Sequence, residues 1–218
     1  VQIDAGRYHT CARLGSGQVR CWGAGPLGDG SATTGIDALR PVVVSDPAGG
    51  GPLTGVVEIA SGRSHVCART LDAQASCWGV GTSGQLGDGG TANATRPVVV
   101  SNPEGSGPLT DAAGLALGVA HSCARLSSGE LRCWGEAYKG QLGNNSTASA
   151  PVTRPVTVLD ATGSGPLTDV AVVGAGALHT CAALGDGTAR CWGHNFYGQL
   201  GTGNNHGTSL PAEVLATP

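Results

Sequence analysis

Eight cysteines constrain this 218-residue chain more than any other feature. They stand at positions 11, 21, 67, 77, 123, 133, 181 and 191, as four pairs with nine residues inside each pair. Successive pairs are 56, 56 and 58 residues apart. Trp-Gly follows every second cysteine, at Trp22, Trp78, Trp134 and Trp192, and a histidine precedes every first one by two positions, at His9, His65, His121 and His179. Arg-Pro-Val motifs begin at Arg40 and Arg96, a related Arg-Pro stands at Arg154, and Gly-Pro-Leu-Thr recurs from Gly51, Gly107 and Gly165. Self-similarity at this period is the mark of a propeller or solenoid, in which no single unit buries its own apolar face. The chain therefore reads as one repeat array over 1–218, with units 1–54, 55–110, 111–168 and 169–218.

Within a unit, short β-branched runs separated by turn residues indicate four strands. In the second unit these are 56–60, 65–69, 75–79 and 97–100, the last opened by Pro97 as a strand start or edge would allow. Gly-Ser-Gly at 15–17, Ser-Ser-Gly at 127–129 and Gly-Asp-Gly at 185–187 supply hairpin turns. The fold class expected is all-β: a β-propeller, or an open propeller arc, of four four-stranded blades. Each cysteine pair is centred on its hairpin turn, so its members face one another across two strands. Opposed Cα atoms lie about 4.5–5.5 Å apart, within disulfide reach. The pairs assigned are Cys11–Cys21, Cys67–Cys77, Cys123–Cys133 and Cys181–Cys191. The competing reading is zinc held by the histidine and both cysteines. It is disfavoured because the knuckle spacing and a fourth ligand are missing.

Composition narrows the function. Charged residues make up 12% of the chain, the net charge is −3, and Lys139 is the sole lysine among scattered arginines, which argues against a nucleic-acid partner. No apolar run approaches the roughly 18 residues of a membrane-spanning helix, so membrane insertion is not expected. Four disulfides imply an oxidising compartment, hence an extracellular or cell-surface location. The absence of methionine fits a processed chain or an excised segment.

Residues 64–100 resemble one repeat of the regulator of chromosome condensation family, in the order Gly-x-x-His, Cys-Ala, Cys-Trp-Gly, Gly-Gln-Leu-Gly, Pro-Val. The resemblance recurs in all four units. Gly84–Gly87, Gly140–Gly143 and Gly198–Gly201 carry the Gly-Gln-Leu-Gly signature, and the first unit departs from it with Ala-Gly-Pro-Leu-Gly-Asp-Gly at 24–30. The paired cysteines are similar to the secreted bacterial branch. The resemblance implies a propeller of four-stranded blades, normally seven. The family includes a nuclear exchange factor for a small GTPase and a secreted β-lactamase inhibitor; neither activity transfers to this chain residue by residue.

The fourfold repeat also separates frame from variable positions. The four histidines recur in every unit and are expected to be satisfied by hydrogen bonds within their own blades rather than to act as bases or ligands. The four tryptophans are expected to pack between blades. Asp29 and Asp88 in glycine turns suggest calcium only weakly, since Asn144, Asn145 and Thr202 stand near the equivalent positions. Ser64 and Ser122 adjoin histidines in sequence without a nucleophile motif. No catalytic role, metal or cofactor is assigned. Three sequons, at Asn93, Asn144 and Asn145, matter only under a glycosylating host. The variable positions before each histidine and after each Trp-Gly hold the candidate binding residues: Arg7, Tyr8, Arg63, Glu136, Tyr138, Lys139, His194, Asn195, Phe196 and Tyr197. Aromatic and adaptable polar groups on loops are recognition chemistry. The expected function is a secreted, non-enzymatic propeller that binds a protein or glycan. The alternative is a structural subunit that self-associates through its terminal blades into a ring or filament.

Overall fold

The computed structural model describes residues 1–31 and 38–215. They form sixteen strands in four antiparallel sheets, each ordered as the chain runs. The first sheet holds β1 (Gln2–Ala5), β2 (His9–Arg13), β3 (Val19–Gly23) and β4 (Ala38–Val43). The second holds β5 (Val56–Ser61), β6 (His65–Thr70), β7 (Ala75–Gly79) and β8 (Ala94–Val99). The third holds β9 (Ala112–Leu117), β10 (His121–Leu126), β11 (Leu131–Gly135) and β12 (Val152–Thr157). The fourth holds β13 (Val170–Ala175), β14 (His179–Leu184), β15 (Ala189–Gly193) and β16 (Thr208–Glu213). These are the blades of a β-propeller.

In every blade the cysteines face each other across the central hairpin and are bonded, with Cα atoms 4.1 Å apart. Leu14 N donates to Gln18 O and Ala24 N to Tyr8 O, so hydrogen-bonded pairs alternate around the cysteines. The cysteines thus occupy a non-hydrogen-bonded site, the closer kind of cross-strand pair. That accounts for a separation shorter than that of a hydrogen-bonded pair.

The innermost strands β1, β5, β9 and β13 lie side by side around the axis. Each is a sheet edge, and an unpaired edge invites misassociation. Side chains of the preceding blade cover two of these edges, β5 and β9. The Gln2 amide donates to Ile59 O at 2.7 Å and accepts from Ile59 N at 2.9 Å. Asp4 Oδ2 accepts from Ser61 N at 2.6 Å, and Glu58 Oε1 from Leu115 N at 3.1 Å. Glu58 also pairs with Arg69 at 2.9 Å, which holds its carboxylate in place.

Among the described residues, no blade contains a core cluster of its own. The buried apolar residues fall into three clusters, one per blade junction. In the first, Cys11, Cys21 and Leu27 of one blade meet Ile59, Val66 and Trp78 of the next. In the second, Cys67, Cys77 and Leu86 meet Leu115 and Trp134, and in the third Cys123, Cys133 and Leu142 meet Trp192. Trp78, Trp134 and Trp192 therefore do pack between blades, whereas Trp22, on the open end of the first blade, is half-buried and joins none of these clusters. Each of the first three disulfides forms part of the surface on which the next tryptophan rests.

The fourth strands depart from the sequence reading. β8 begins at Ala94, so Pro97 lies inside the strand and is buried rather than opening it. The pairing of β7 with β8 shifts register between Cys77 and Gly79, opposite this proline. The same shift occurs beside Pro155 and Pro211. An outer edge strand with a local irregularity tolerates a residue lacking an N–H, which a regular ladder would not.

The blades form an open arc. Ile59 on β5 is 1% exposed against the preceding blade, whereas Ile3, its counterpart on β1, is 68% exposed. Trp22 is half-buried while the other three tryptophans are fully covered. At the opposite end His179 and Cys181 are half-buried, where His65 and Cys67 are buried.

Candidate functional site

The register of the central hairpins decides where the variable residues sit. His9 pairs with Gly23, His65 with Gly79, His121 with Gly135 and His179 with Gly193. The segment before each histidine and the loop after each Trp-Gly are therefore neighbours at the same end of a blade. A backbone bond joins them: Ala24 N to Tyr8 O, Val80 N to Ser64 O, Glu136 N to Ala120 O and His194 N to Leu178 O. Adjacent blades are linked there too, by Arg7 N to Arg63 O at 3.1 Å, Arg63 N to Gly118 O at 3.4 Å and Val119 N to Ala177 O at 3.1 Å. All ten candidate binding residues thus lie on one face of the arc.

The frame histidines depart from the expectation of bonding within the blade, because each inner one reaches a hydroxyl of the next blade. His65 Nε2 lies 2.9 Å from Ser122 Oγ, and His121 Nε2 lies 3.0 Å from Thr180 Oγ1. Those hydroxyls donate to the carbonyls of Gln85 and Gln141, at 2.8 and 2.9 Å. The same two carbonyls accept Trp134 Nε1 at 2.9 Å and Trp192 Nε1 at 3.0 Å. A hydroxyl has one proton, and here it is spent on the glutamine carbonyl, so the histidine must donate from Nε2. A serine–histidine nucleophile needs the reverse: an unprotonated nitrogen accepting the hydroxyl proton, open to substrate. Here both partners are buried, and the pair joins blades. Burial, reinforced by the neighbouring imidazoles His121 and His9, pushes His65 down to about 3. Burial, with His179 beside it, pushes His121 down to about 4. Both are neutral at physiological pH. The glycine three residues before each histidine is required by the ring: a Cβ on Gly62 would stand 2.2 Å from His65 Cε1.

The glutamines of Gly-Gln-Leu-Gly also shape the face, a role the sequence reading missed. Their side-chain oxygens accept from the loop-tip backbone: Gln85 from Ser83 N at 2.8 Å, Gln141 from Lys139 N at 2.8 Å and Gln199 from Tyr197 N at 2.9 Å. The amide nitrogens of Gln141 and Gln199 reach Glu136 Oε2 at 3.4 Å and His194 Nδ1 at 3.0 Å. Their invariant place in three units was the available signal. The carboxylates considered for calcium cap their own turns instead, Asp29 binding Ser31 N and Asp88 binding Gly90 N, each at 3.0 Å.

On these braced loops Phe196 and Tyr197 are 67% and 84% exposed and meet edge to face at 5.0 Å, with His194 stacked near Phe196. Tyr138 is exposed and carries Lys139 Nζ 5.1 Å above its ring. Glu136 and Tyr138 share a cleft of about 260 Å³ with Ser83, Ser149 and Pro151, and burial pushes the Glu136 carboxyl up. Asn195 stands apart from its neighbours. It is buried, its amide nitrogen donates to Asn204 O and His206 O at 3.0 Å, and its oxygen accepts from Leu200 N at 2.8 Å. Its polar atoms brace the loop and do not reach outward. Arg7 and Arg63 lie nearer the axis, with the Arg7 guanidinium 4.8 Å above the ring of Tyr8.

The first junction lacks the hydrogen-bonded link. Val66 occupies the place of Ser122 and Thr180, and Trp22 to Leu27 spans five residues where Trp78 to Leu86 spans eight. Among the described residues, neither His9 Nε2 nor Trp78 Nε1 has a hydrogen-bond partner. A hollow of about 140 Å³ lies there, bordered by Tyr8, His9, Pro26, Arg63 and Val66.

Comparison with known proteins agrees with this architecture. A family model described as "Regulator of chromosome condensation (RCC1) repeat" matches residues 1–28, 56–85, 113–141 and 170–199, one stretch in each blade, and a second model of the same description matches 77–125. The ultraviolet-B receptor UVR8 of Arabidopsis thaliana is 29% identical over 99% of this chain and 46% of its own length. Human WBSCR16 superposes with a TM-score of 0.80 at 20% identity, over 98% of this chain and 51% of that one. Yeast RCC1 (Prp20), in its complex with Kap60, superposes at 0.76 and 24% identity, over 100% of this chain and 49% of that one. The chain thus spans about half the length of these relatives. With the repeat matched in all four blades, the chain belongs to the regulator of chromosome condensation (RCC1) repeat family.

Proposed function

We propose that this chain is a secreted, non-enzymatic binding module that engages a protein through the face formed by the pre-histidine segments and the loops after Trp-Gly. One observation carries the reading: a rigid frame presents exposed aromatic and charged side chains on braced loops, all on the same face. Phe196 and Tyr197 sit on a loop held by Gln199 and Asn195, so little ordering entropy remains to be lost on binding. Arg7, Tyr8, Arg63, Glu136, Tyr138, Lys139 and His194 complete the surface, and Asn195 serves it as a brace. Four disulfides are compatible with an oxidising environment and support the extracellular assignment. A propeller of the same fold, yeast RCC1, is known bound to the protein Kap60. Alanine replacement of Tyr138, Lys139, Phe196 and Tyr197 tests the proposal in a capture assay against extracellular proteins and glycans from the source. The expected result is lost capture with an unchanged melting temperature; undiminished capture refutes it.

A second reading, head-to-tail self-association, has its own supporting observation. The two end faces of the arc carry the residue types that link the inner blades. Thr10 and Trp22 stand on one, His179 and Gln199 on the other. Joined copies would repeat the histidine–hydroxyl and tryptophan–carbonyl bonds. Native mass spectrometry decides it: Trp22→Glu should convert an oligomer to monomer, and a concentration-independent monomer in the unsubstituted protein refutes it.

A further inference from the structure

The face has a second feature, at the axis. A hollow of about 470 Å³ opens where the four innermost strands end, in the size range of about 300–1,000 Å³ usual for ligand sites. Its wall is divided. Blades 1 and 2 contribute Arg7 and Arg63, and blades 3 and 4 contribute Leu117, Val119 and Ala177. Among the described residues neither arginine has a carboxylate partner. The nearby acids are committed elsewhere: Asp4 binds the backbone of Ala5 and Ser61, and Glu58 binds Arg69 and the backbone of Leu115. The two arginines are neighbours across the blade junction through the bond from Arg7 N to Arg63 O. The Arg7 guanidinium also lies 4.8 Å over the ring of Tyr8.

We infer that the axial hollow binds an acidic segment of a protein partner, a carboxylate seated between Arg7 and Arg63 and an adjacent apolar side chain against Leu117, Val119 and Ala177. Guanidinium groups match carboxylates in geometry and charge, and a second, apolar wall distinguishes a peptide from a free anion. The inference rests on the binding face proposed above and names the chemistry of its partner.

The probe is the peptide acetyl-Glu-Leu-Glu-Leu-amide, followed by calorimetry and by amide chemical shifts of Gly6, Gly62, Gly118 and Gly176 on the full chain. Saturable binding is expected, weaker by about tenfold or more for the peptide with both glutamates replaced by glutamine. The variant carrying Arg7→Gln and Arg63→Gln should lose a similar factor while melting normally, since both side chains are exposed. Equal binding of the glutamine peptide, an unaffected arginine variant, inorganic phosphate binding as tightly as the peptide, or no binding at millimolar peptide each overturn the inference. The loop variant Phe196→Ala with Tyr197→Ala is a control. If it loses the partner yet still binds this peptide, the two readings stand or fall separately.

Discussion

The first blade junction offers a test of what holds the others together. At the inner junctions a hydroxyl accepts from the preceding histidine and donates to a glutamine carbonyl; at the first, Val66 leaves His9 Nε2 without a partner. Val66→Thr exchanges one methyl for the missing hydroxyl at nearly constant volume. Pairing a buried orphan recovers about 1–3 kcal/mol, and burying a hydroxyl whose proton lacks the Gln85-type acceptor returns about 1 kcal/mol or more of that. The net expectation is stabilisation of about 1 kcal/mol, equivalent to about 2–4 °C in Tm for a chain of this size. The reciprocal change, Ser122→Val, orphans His65 and removes one of two donors from the Gln85 carbonyl. It should cost about 2–3 kcal/mol. Urea unfolding with intact disulfides reads both as midpoint shifts at constant slope. The reasoning fails if Val66→Thr destabilises by about 1 kcal/mol or more, or if Ser122→Val is neutral.

The buried histidines also set an acid limit. Since the folded pKa values of His65 and His121 lie at about 3 and about 4, the unfolded chain binds their protons first as pH falls. Their contribution is fully present above about 6.5 and is lost below it, at up to about 1.4 kcal/mol per pH unit for each histidine. Urea midpoints at pH 7 and pH 5 check this; equal midpoints contradict it. The disulfides should differ in accessibility. Cys181 is half-buried on the open end face, whereas the cysteines of the other three bridges are fully covered. Mild reductant followed by alkylation and peptide mapping should label Cys181 and Cys191 first; simultaneous labelling of all eight would contradict the burial argument.

The period, the four-strand blades and the cysteine pairing were all legible because they are local: a hairpin brings residues ten apart into contact whatever surrounds it. The direction of the histidine bond was not, because it crosses blades. Its signal lay one residue on, where Thr10, Ser122 and Thr180 carry hydroxyls and Val66 does not. Adjacency of Ser122 to His121 drew attention to the wrong pair, since the partner of Ser122 is His65. Pro97 misled for a related reason. Its place inside β8 depends on the strand being outermost and irregular, which only the assembled sheet reveals. Asn195 looked like its neighbours Phe196 and Tyr197, yet the loop that follows folds back onto its amide.

One consequence ties the frame to the proposed recognition face. Gln141 joins two blades through its carbonyl, which holds Thr180 and Trp192, and fixes the loop of Tyr138 and Lys139 through its side chain. Junction and loop are thus ordered by the same residue. A partner that rigidifies the loop therefore favours the closed junction, and a loosened junction releases the loop. Blade 1 has no such glutamine, its loop is short, and a hollow lies beside it. There the candidate recognition residues sit instead on the pre-histidine segment. Arg7, Tyr8 and Arg63 need no loop brace, because the backbone bond from Arg7 N to Arg63 O and the ladder at His9 and His65 already hold them. The face is built in two ways, by braced loops on blades 3 and 4 and by strand-anchored side chains on blades 1 and 2. Substitutions that weaken the glutamine link should therefore impair the aromatic half and spare the cationic one.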